Sequence, residues 1–154
     1  MLEVDIRELR HGPVETTGVL PAADPLFEGL EVPLDGPLSV AGTLERAGQN
    51  GFFWHGRFEG QVRSVCRRCL TEFVMPVAQS VEVMFSPDPE LQDDPSVYPL
   101  AEQTARVDVR PAVREELALA VDHFPLCRED CRGLCPHCGA ELNRGACQCT
   151  APSA

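Results

Sequence analysis

The chain contains no lysine, so all 13 of its basic residues are arginines, and they are outnumbered by 24 aspartates and glutamates. The resulting formal net charge of −11 argues against simple electrostatic binding to nucleic acid, which needs a basic surface. The absence of lysine itself favours an arginine-biased codon usage over a functional reason.

Long apolar runs are also missing, and no stretch approaches the length needed to span a membrane. In the first residues, MLEVDIRELR, apolar side chains alternate with charged ones, so this segment does not resemble a secretory signal. We therefore expect a cytoplasmic protein with no membrane partner, whose thiols stay reduced. A chain of 154 residues can bury a real core, so it does not need disulfides merely to fold.

Recognisable catalytic patterns are absent as well. The chain has no serine–histidine–acid order, no glycine-rich phosphate loop and no paired-carboxylate motif. We therefore expect a protein that is not an enzyme, with no catalytic residues and no small-molecule substrate.

Alternating apolar residues predict β-strands over 2–9, 30–34, 38–45, 52–66 and 72–85. The last two strands should form an antiparallel hairpin, with a bulge near 76–80 and with Cys66 and Cys69 at its tip. A composition rich in Gly, Pro and Ala predicts a loop over 10–29, and four prolines in an acidic stretch predict a second loop over 86–99.

One helix is predicted after the acidic loop, because Val109, Val113 and Leu117 recur at helical spacing. Asp108 is the expected N-cap, and Pro125 is expected to end the helix. The predicted fold is α+β, an antiparallel sheet or meander with one packed helix and a C-terminal zinc-binding lobe. We expect residues 1–126 to form the sheet-plus-helix domain with its CxxC hairpin, and 127–154 a cysteine-rich zinc lobe packed on it.

Six of the eight cysteines lie within residues 127–149. Two of them flank Pro136 and His137, and Gly139 follows, where glycine tolerates the positive φ that a metal-binding knuckle needs. The turn Asn143-Arg144-Gly145 then brings the chain back to a CxC pair. Four thiolates at such short spacing predict a tetrahedral zinc site made by Cys135, Cys138, Cys147 and Cys149.

The other four cysteines predict a second four-cysteine zinc site that joins distant parts of the chain. Its ligands would be Cys66, Cys69, Cys127 and Cys131, which gives two structural Zn²⁺ ions in total. The spacing alone leaves other groupings open. His123 or His137 could replace a cysteine, but two complete sets leave no vacancy for either.

Three segments together resemble the YceD-like family of large ribosomal RNA subunit accumulation proteins, in its cysteine-rich form. They are VRSVCRRCL, VDVRPAVREELALAVDHFPLC and CRGLCPHCGAELN with the later CQC, and the resemblance spans residues 35–149. It implies a bacterial or plastid factor, not an enzyme, that supports large-subunit rRNA accumulation and large ribosomal subunit assembly. The implied partner is a precursor of that subunit.

Two other functions remain open at this point. A CxC paired with a CxxC also occurs in zinc-based thiol redox switches and chaperones, in which oxidation releases the metal. A general zinc-ribbon adaptor for protein partners is the third reading.

The contact with the ribosomal precursor also has two candidate routes. Acidic segments 1–50 and 86–105 could bind a basic ribosomal protein. Alternatively, a local basic patch could bind rRNA, or its arginines could simply balance neighbouring acids. The patch would consist of Arg57, Arg63, Arg67, Arg68, Arg128, Arg132 and Arg144.

Overall fold

The structure is a computed structural model that describes residues 1–149. The chain divides into two compact units. The first comprises Met1–Val62 and Pro76–Val121, and the second comprises Arg63–Met75 and the residues from Asp122 onward. We call Arg63–Met75 the hairpin tip. The division into domains 1–126 and 127–154 stays a prediction.

The strands confirm an α+β fold with a core made mostly of sheet. They are β1 (Glu3–Asp5), β2 (Val14–Leu20), β3 (Leu38–Ala47), β4 (Gly51–Val65), β5 (Glu72–Ser86), β6 (Val97–Pro99) and β7 (Arg106–Asp108). Five of them form a sheet in the order β2-β3-β4-β5-β6, and β1 pairs with β7. The pairs β2–β3 and β3–β4 are antiparallel, but β6 adds to β5 in parallel, which the predicted antiparallel meander did not include.

Strand β4 follows its predicted alternation and supplies the centre of the first unit's core. Trp54 and Phe58 are fully buried on one face, whereas His55 and Arg57 on the other are not. The indole N–H of Trp54 donates to the hydroxyl of Thr16 at 2.9 Å. A Cβ at Gly56 would lie 2.4 Å from the Trp54 ring, so the strand needs glycine there for the indole to fit.

The predicted helix is present as α1, Arg110–Ala120, and it buries Ala112, Val113 and Leu117. Both of its predicted ends were wrong. Val109 is the N-cap, while the Asp108 carboxylate accepts from the backbone N–H of Arg110 at 3.0 Å. The helix ends before Pro125 because Val121 is already extended, and the Asp122 carboxylate accepts the N–H of Phe124, which competes with a further helical turn.

Two loop predictions were also wrong. Residues 10–29 contain β2, an edge strand whose sequence VETTGVL buries only Thr16 and Leu20, so its apolar alternation is weak. Residues 86–99 contain a 3₁₀ turn, Pro89–Leu91, and then β6.

Two predicted strands are shorter than expected. The strand predicted over 2–9 is reduced to β1. The strand predicted over 30–34 contributes only an isolated bridge between Leu34 and Val62. The predicted bulge near 76–80 stays a prediction. Among residues 1–149, no helix is long and apolar enough to cross a membrane.

Candidate metal centres

The hairpin tip folds into a tight cysteine knuckle between β4 and β5. The backbone N–H of Leu70 donates to the carbonyl of Cys66 at 2.9 Å, and the N–H of Cys66 donates to the carbonyl of Thr71 at 3.0 Å. Backbone N–H groups of the two residues before Leu70, Arg68 and Cys69, point at the Cys66 thiol. The turn therefore presents amide donors to a thiolate.

The second CxxC forms the same knuckle. The N–H of Gly139 donates to the carbonyl of Cys135 at 2.9 Å, and the N–H of Cys135 donates to that of Ala140 at 2.8 Å. Backbone N–H groups of His137 and Cys138 again point at the first sulfur. Residue for residue, the two turns share one hydrogen-bond pattern.

The knuckles differ in the residue that follows the second cysteine. Gly139 holds φ at 72°, and Leu70 holds the equivalent φ at 60°. Among the residues that the structure describes, Leu70 is the one non-glycine residue with a positive φ. A left-handed backbone costs a side-chain-bearing residue about 1–2 kcal/mol, so Leu70 is strained where its counterpart is not.

Both turns belong to sets of four cysteines. The first set is Cys66, Cys69, Cys127 and Cys131, and its four Sγ atoms lie within 4.8 Å of one another. Two of its Sγ pairs, Cys66–Cys131 and Cys69–Cys127, are 3.7 Å apart. A tetrahedral zinc with Zn–S bonds of about 2.3 Å has sulfur–sulfur edges of about 3.8 Å, whereas a disulfide is about 2.05 Å long. The first set thus fits one tetrahedral metal ion.

The first set is shielded from solvent. Cys66, Cys69 and Cys131 are buried, and three partly buried side chains pack against them: Phe73, Leu126 and Leu134. Buried thiolates without a cation would be costly, so this apolar surround favours a bound metal.

Neighbouring groups also position Cys131. The side-chain amide of Asn143 donates to its Sγ at 3.3 Å and accepts the backbone N–H of Arg132 at 2.9 Å. The guanidinium of Arg68 donates to the Cys131 carbonyl at 3.0 Å. Such outer contacts fix ligand orientation in metal sites.

The thiols of the first set differ in acidity for physical reasons. Burial raises the pKa of Cys66, but hydrogen bonds from backbone N–H groups outweigh it and lower that pKa to about 6. The Asn143 amide is the main cause of a lowered pKa at Cys131. Burial, with the neighbouring sulfurs, raises the pKa of Cys127 to about 12. A divalent metal would deprotonate all four, because coordination removes the thiol proton outright.

The second set, Cys135, Cys138, Cys147 and Cys149, also places its four Sγ atoms within 4.8 Å of one another. Hydrogen bonds from the N–H groups of Cys138 and His137 are the main cause of a Cys135 pKa lowered to about 6. Only Cys135 of this set is buried, and Cys138 is exposed. The second set can therefore hold a metal, but in a site more open to solvent than the first.

The sets contain the same cysteines that the spacing grouped together. In residues 1–149 the groups able to hold a metal consist of cysteines alone, so neither His123 nor His137 joins them. Sequence reasoning missed Asn143 as an outer contact, because its position beside Arg144-Gly145 indicated only a turn. It also missed the strain at Leu70, for which the Gly139 comparison was the available signal.

The seven candidate arginines are divided between the two units, and their grouping into one patch stays a prediction. Arg57 lies in the first unit and pairs with Glu59 at 3.4 Å, and the other six lie in the second unit. Of those six, Arg128 pairs with Asp130 at 3.5 Å and Arg144 with Glu141 at 3.2 Å.

The remaining four arginines have different surroundings. Arg68 is bound to the Cys131 carbonyl, and Arg63 has a partner of its own. Arg67 and Arg132 are exposed and form no ion pair with another residue of the described chain. Arg67 is therefore the hairpin-tip arginine most available to an outside anion.

Comparison with known proteins agrees with the cysteine pattern. The family model described as "Large ribosomal RNA subunit accumulation protein YceD" matches residues 54–153, which contain all eight cysteines. The chain belongs to the YceD family. This match confirms the resemblance noted in the sequence.

Three relatives are uncharacterized proteins, one from Mycobacterium bovis and two from Mycobacterium tuberculosis strains. Each is 31% identical over 81 residues, which cover 50% of this chain and 38% of the relative. The matched region is thus well under half of these relatives. No solved structure matches the chain.

Proposed function

We propose that this YceD-family chain is a non-enzymatic factor that supports accumulation of large-subunit rRNA and assembly of the large ribosomal subunit in the cytoplasm. The observation that carries the proposal is the family match over residues 54–153, whose description names large-subunit rRNA accumulation. The matched segment includes both sets of cysteines. The proposed partner is a precursor of the large subunit.

Within this function we assign one structural Zn²⁺ to each set. Four thiolates form a soft donor set, for which zinc at tetrahedral geometry is the common choice in proteins. Four protein ligands leave no coordination position for water or substrate. The metals would therefore hold the second unit together rather than perform a reaction.

The distribution of charge supports a contact in two parts. The second unit carries six arginines and five acids, a formal balance of +1, which leaves −12 for the first unit. Each zinc with four thiolates adds about −2, so the second unit loaded with two zinc ions has a formal charge of about −3, and any basic surface on it is local. A basic ribosomal protein would be drawn to the first unit, whereas rRNA would have to meet a local cluster of arginines in the second.

Genetic replacement in the organism of origin tests the proposed function. Deleting the gene should lower the ratio of large-subunit to small-subunit rRNA, and a wild-type copy should restore it. Cys69→Ser should fail to restore the ratio, whereas Leu119→Ala, at an exposed helix position, should succeed. An unchanged rRNA ratio in the deletion strain would reject the proposal.

The openness of the second set keeps a redox switch as the alternative function. An exposed thiol such as Cys138 is accessible to oxidants, and oxidation would release a bound metal. The two functions differ in their response to peroxide, since a structural zinc protein should lose its metal slowly and gain no activity.

A further inference from the structure

The matched knuckles reveal an unexplained residue at the hairpin tip. Gly139 occupies the left-handed position of one knuckle without strain, and Leu70 occupies it in the other with strain. Strained residues persist where the surroundings hold them, and they cluster at functional sites. Burial of the Leu70 side chain offsets little of this cost, because it is 63% exposed.

Leu70 is accompanied by other exposed apolar side chains. Val65 at the end of β4 and Val74 near the start of β5 are 48% and 47% exposed. Phe73 lies between Val74 and the turn in sequence and packs instead against the cysteines of the first set. Alternation along the strand therefore places the valines on the side of the hairpin tip away from the metal site.

The same tip is rich in arginine. Residues 63–75 contain three arginines and one glutamate, a balance of +2 on a chain of −11, and a zinc ion held by the first set would add about −2 beside them. Arg67 lies between the two cysteines of the knuckle, is exposed, and forms no ion pair within residues 1–149. The tip thus offers an exposed apolar side chain and an exposed cation within four residues.

We propose that the hairpin tip is an rRNA-binding element, in which Leu70 packs against an unstacked base and Arg67 contacts a neighbouring phosphate. Apolar side chains at nucleic-acid interfaces contact base faces, and exposed bases of RNA loops are open to such contacts. This inference rests on the proposed function and names the ligand at one surface.

Charge decides between RNA and protein as the occupant. A basic ribosomal protein would be repelled by Arg67 and attracted to the strongly acidic first unit. An RNA phosphate would be attracted to the exposed Arg67 and repelled by the first unit. The tip is therefore the part of the described chain that suits an anion with exposed apolar faces.

The test uses Leu70→Gly in the zinc-loaded full-length chain, because this change copies the unstrained knuckle at Gly139. Its zinc content and melting temperature should be kept or raised. Its affinity for in vitro transcribed large-subunit rRNA, measured by filter binding at fixed salt, should fall about tenfold, because the variant loses the apolar contact between the leucine side chain and the base. The control Leu119→Ala, exposed on α1, should bind like the wild type.

A second variant tests the cation. Arg67→Gln should weaken binding to rRNA. It should also reduce the slope of log affinity against log salt by about the amount expected for the loss of one phosphate contact. Arg132→Gln, at an exposed arginine outside the tip, is the control. It should leave the apolar contact intact, so that Leu70→Gly causes the same loss of rRNA affinity with or without it.

Three results would overturn the inference. The first is unchanged rRNA affinity in Leu70→Gly. The second is loss of zinc in that variant, which would show a structural role for Leu70. The third is no binding of wild-type protein to rRNA. In the last case the proposed function still stands if gene deletion lowers the rRNA ratio. If deletion leaves the ratio unchanged while the wild type binds rRNA through Leu70, the proposed function fails and the inference survives.

Discussion

Asn143 donates its side-chain amide to the Sγ of Cys131 across 3.3 Å, although it lies in sequence between Cys138 and Cys147 of the second set. Its carbonyl oxygen accepts the backbone N–H of Arg132 at 2.9 Å, which fixes the orientation of the amide. One residue of the loop that closes the second set therefore supports a ligand of the first.

This relationship predicts that Asn143→Ala weakens the first metal site. Removing an outer contact of a metal ligand typically costs 10–100-fold in affinity. We expect one of the two zinc ions to transfer to a chelator about 10–100-fold faster than in the wild type, as followed by the absorbance of a metal-sensitive dye. Asn50→Ala, in the exposed turn before β4, is the matched control and should release zinc like the wild type.

If Asn143 supports only Cys131, replacing it should affect the first metal site and leave the second unchanged. In a protein loaded with Co²⁺, the sulfur-to-metal absorption of one site should shift and the other should stay constant. Equal acceleration of both zinc ions would instead mean that the variant loosens the whole loop, and the specific contact with Cys131 would be rejected.

The metal content provides a separate prediction. Wild-type protein should contain two Zn²⁺ per chain by elemental analysis. Cys69→Ser and Cys138→Ser should each lose one, because each removes a ligand from a different set. If Cys69→Ser keeps both ions, the grouping of the cysteines into these two sets is wrong.

A third prediction concerns the core of the first unit. Thr16→Val removes the acceptor of the buried Trp54 indole N–H while it preserves side-chain shape. Leaving a buried donor unpaired costs about 1–3 kcal/mol, so the free energy of unfolding should fall by that amount in urea titrations. Thr17→Val, the exposed neighbour on the same strand, should change it far less.

The sequence predicted those parts of the fold in which one residue pattern dominates. Strand β4 alternates strongly, and α1 repeats its apolar residues at helical spacing, so both were found. Strand β2 was missed because an edge strand with two buried residues has almost no alternation to detect. The ends of α1 depend on single side-chain contacts, such as that of Asp122 with Phe124, which periodicity does not contain.

The candidate site shows the same division. Short spacing was enough to group the cysteines, because knuckle turns are local. The contact of Asn143 with Cys131 and that of Arg68 with the Cys131 carbonyl join residues that are 12 and 63 positions apart, so they could be found only in the folded chain. The Arg68 contact also makes Arg67 the better probe of RNA binding, since changing Arg68 would disturb the metal site.

The last prediction separates a structural zinc protein from a redox switch. Thiolates bound to zinc are partly neutralised by the metal, and in both knuckles backbone N–H groups donate to the first sulfur. We therefore expect mild peroxide to release zinc slowly. When release occurs, the second set should lose its ion first, because Cys138 is exposed whereas three cysteines of the first set are buried. Zinc release followed with a dye, together with mass spectrometry of alkylated thiols, measures the rate and the order.

Rapid release accompanied by a new ability to suppress aggregation of an unfolded test protein would favour the redox switch. Faster loss from the first set would show that solvent exposure does not control the order.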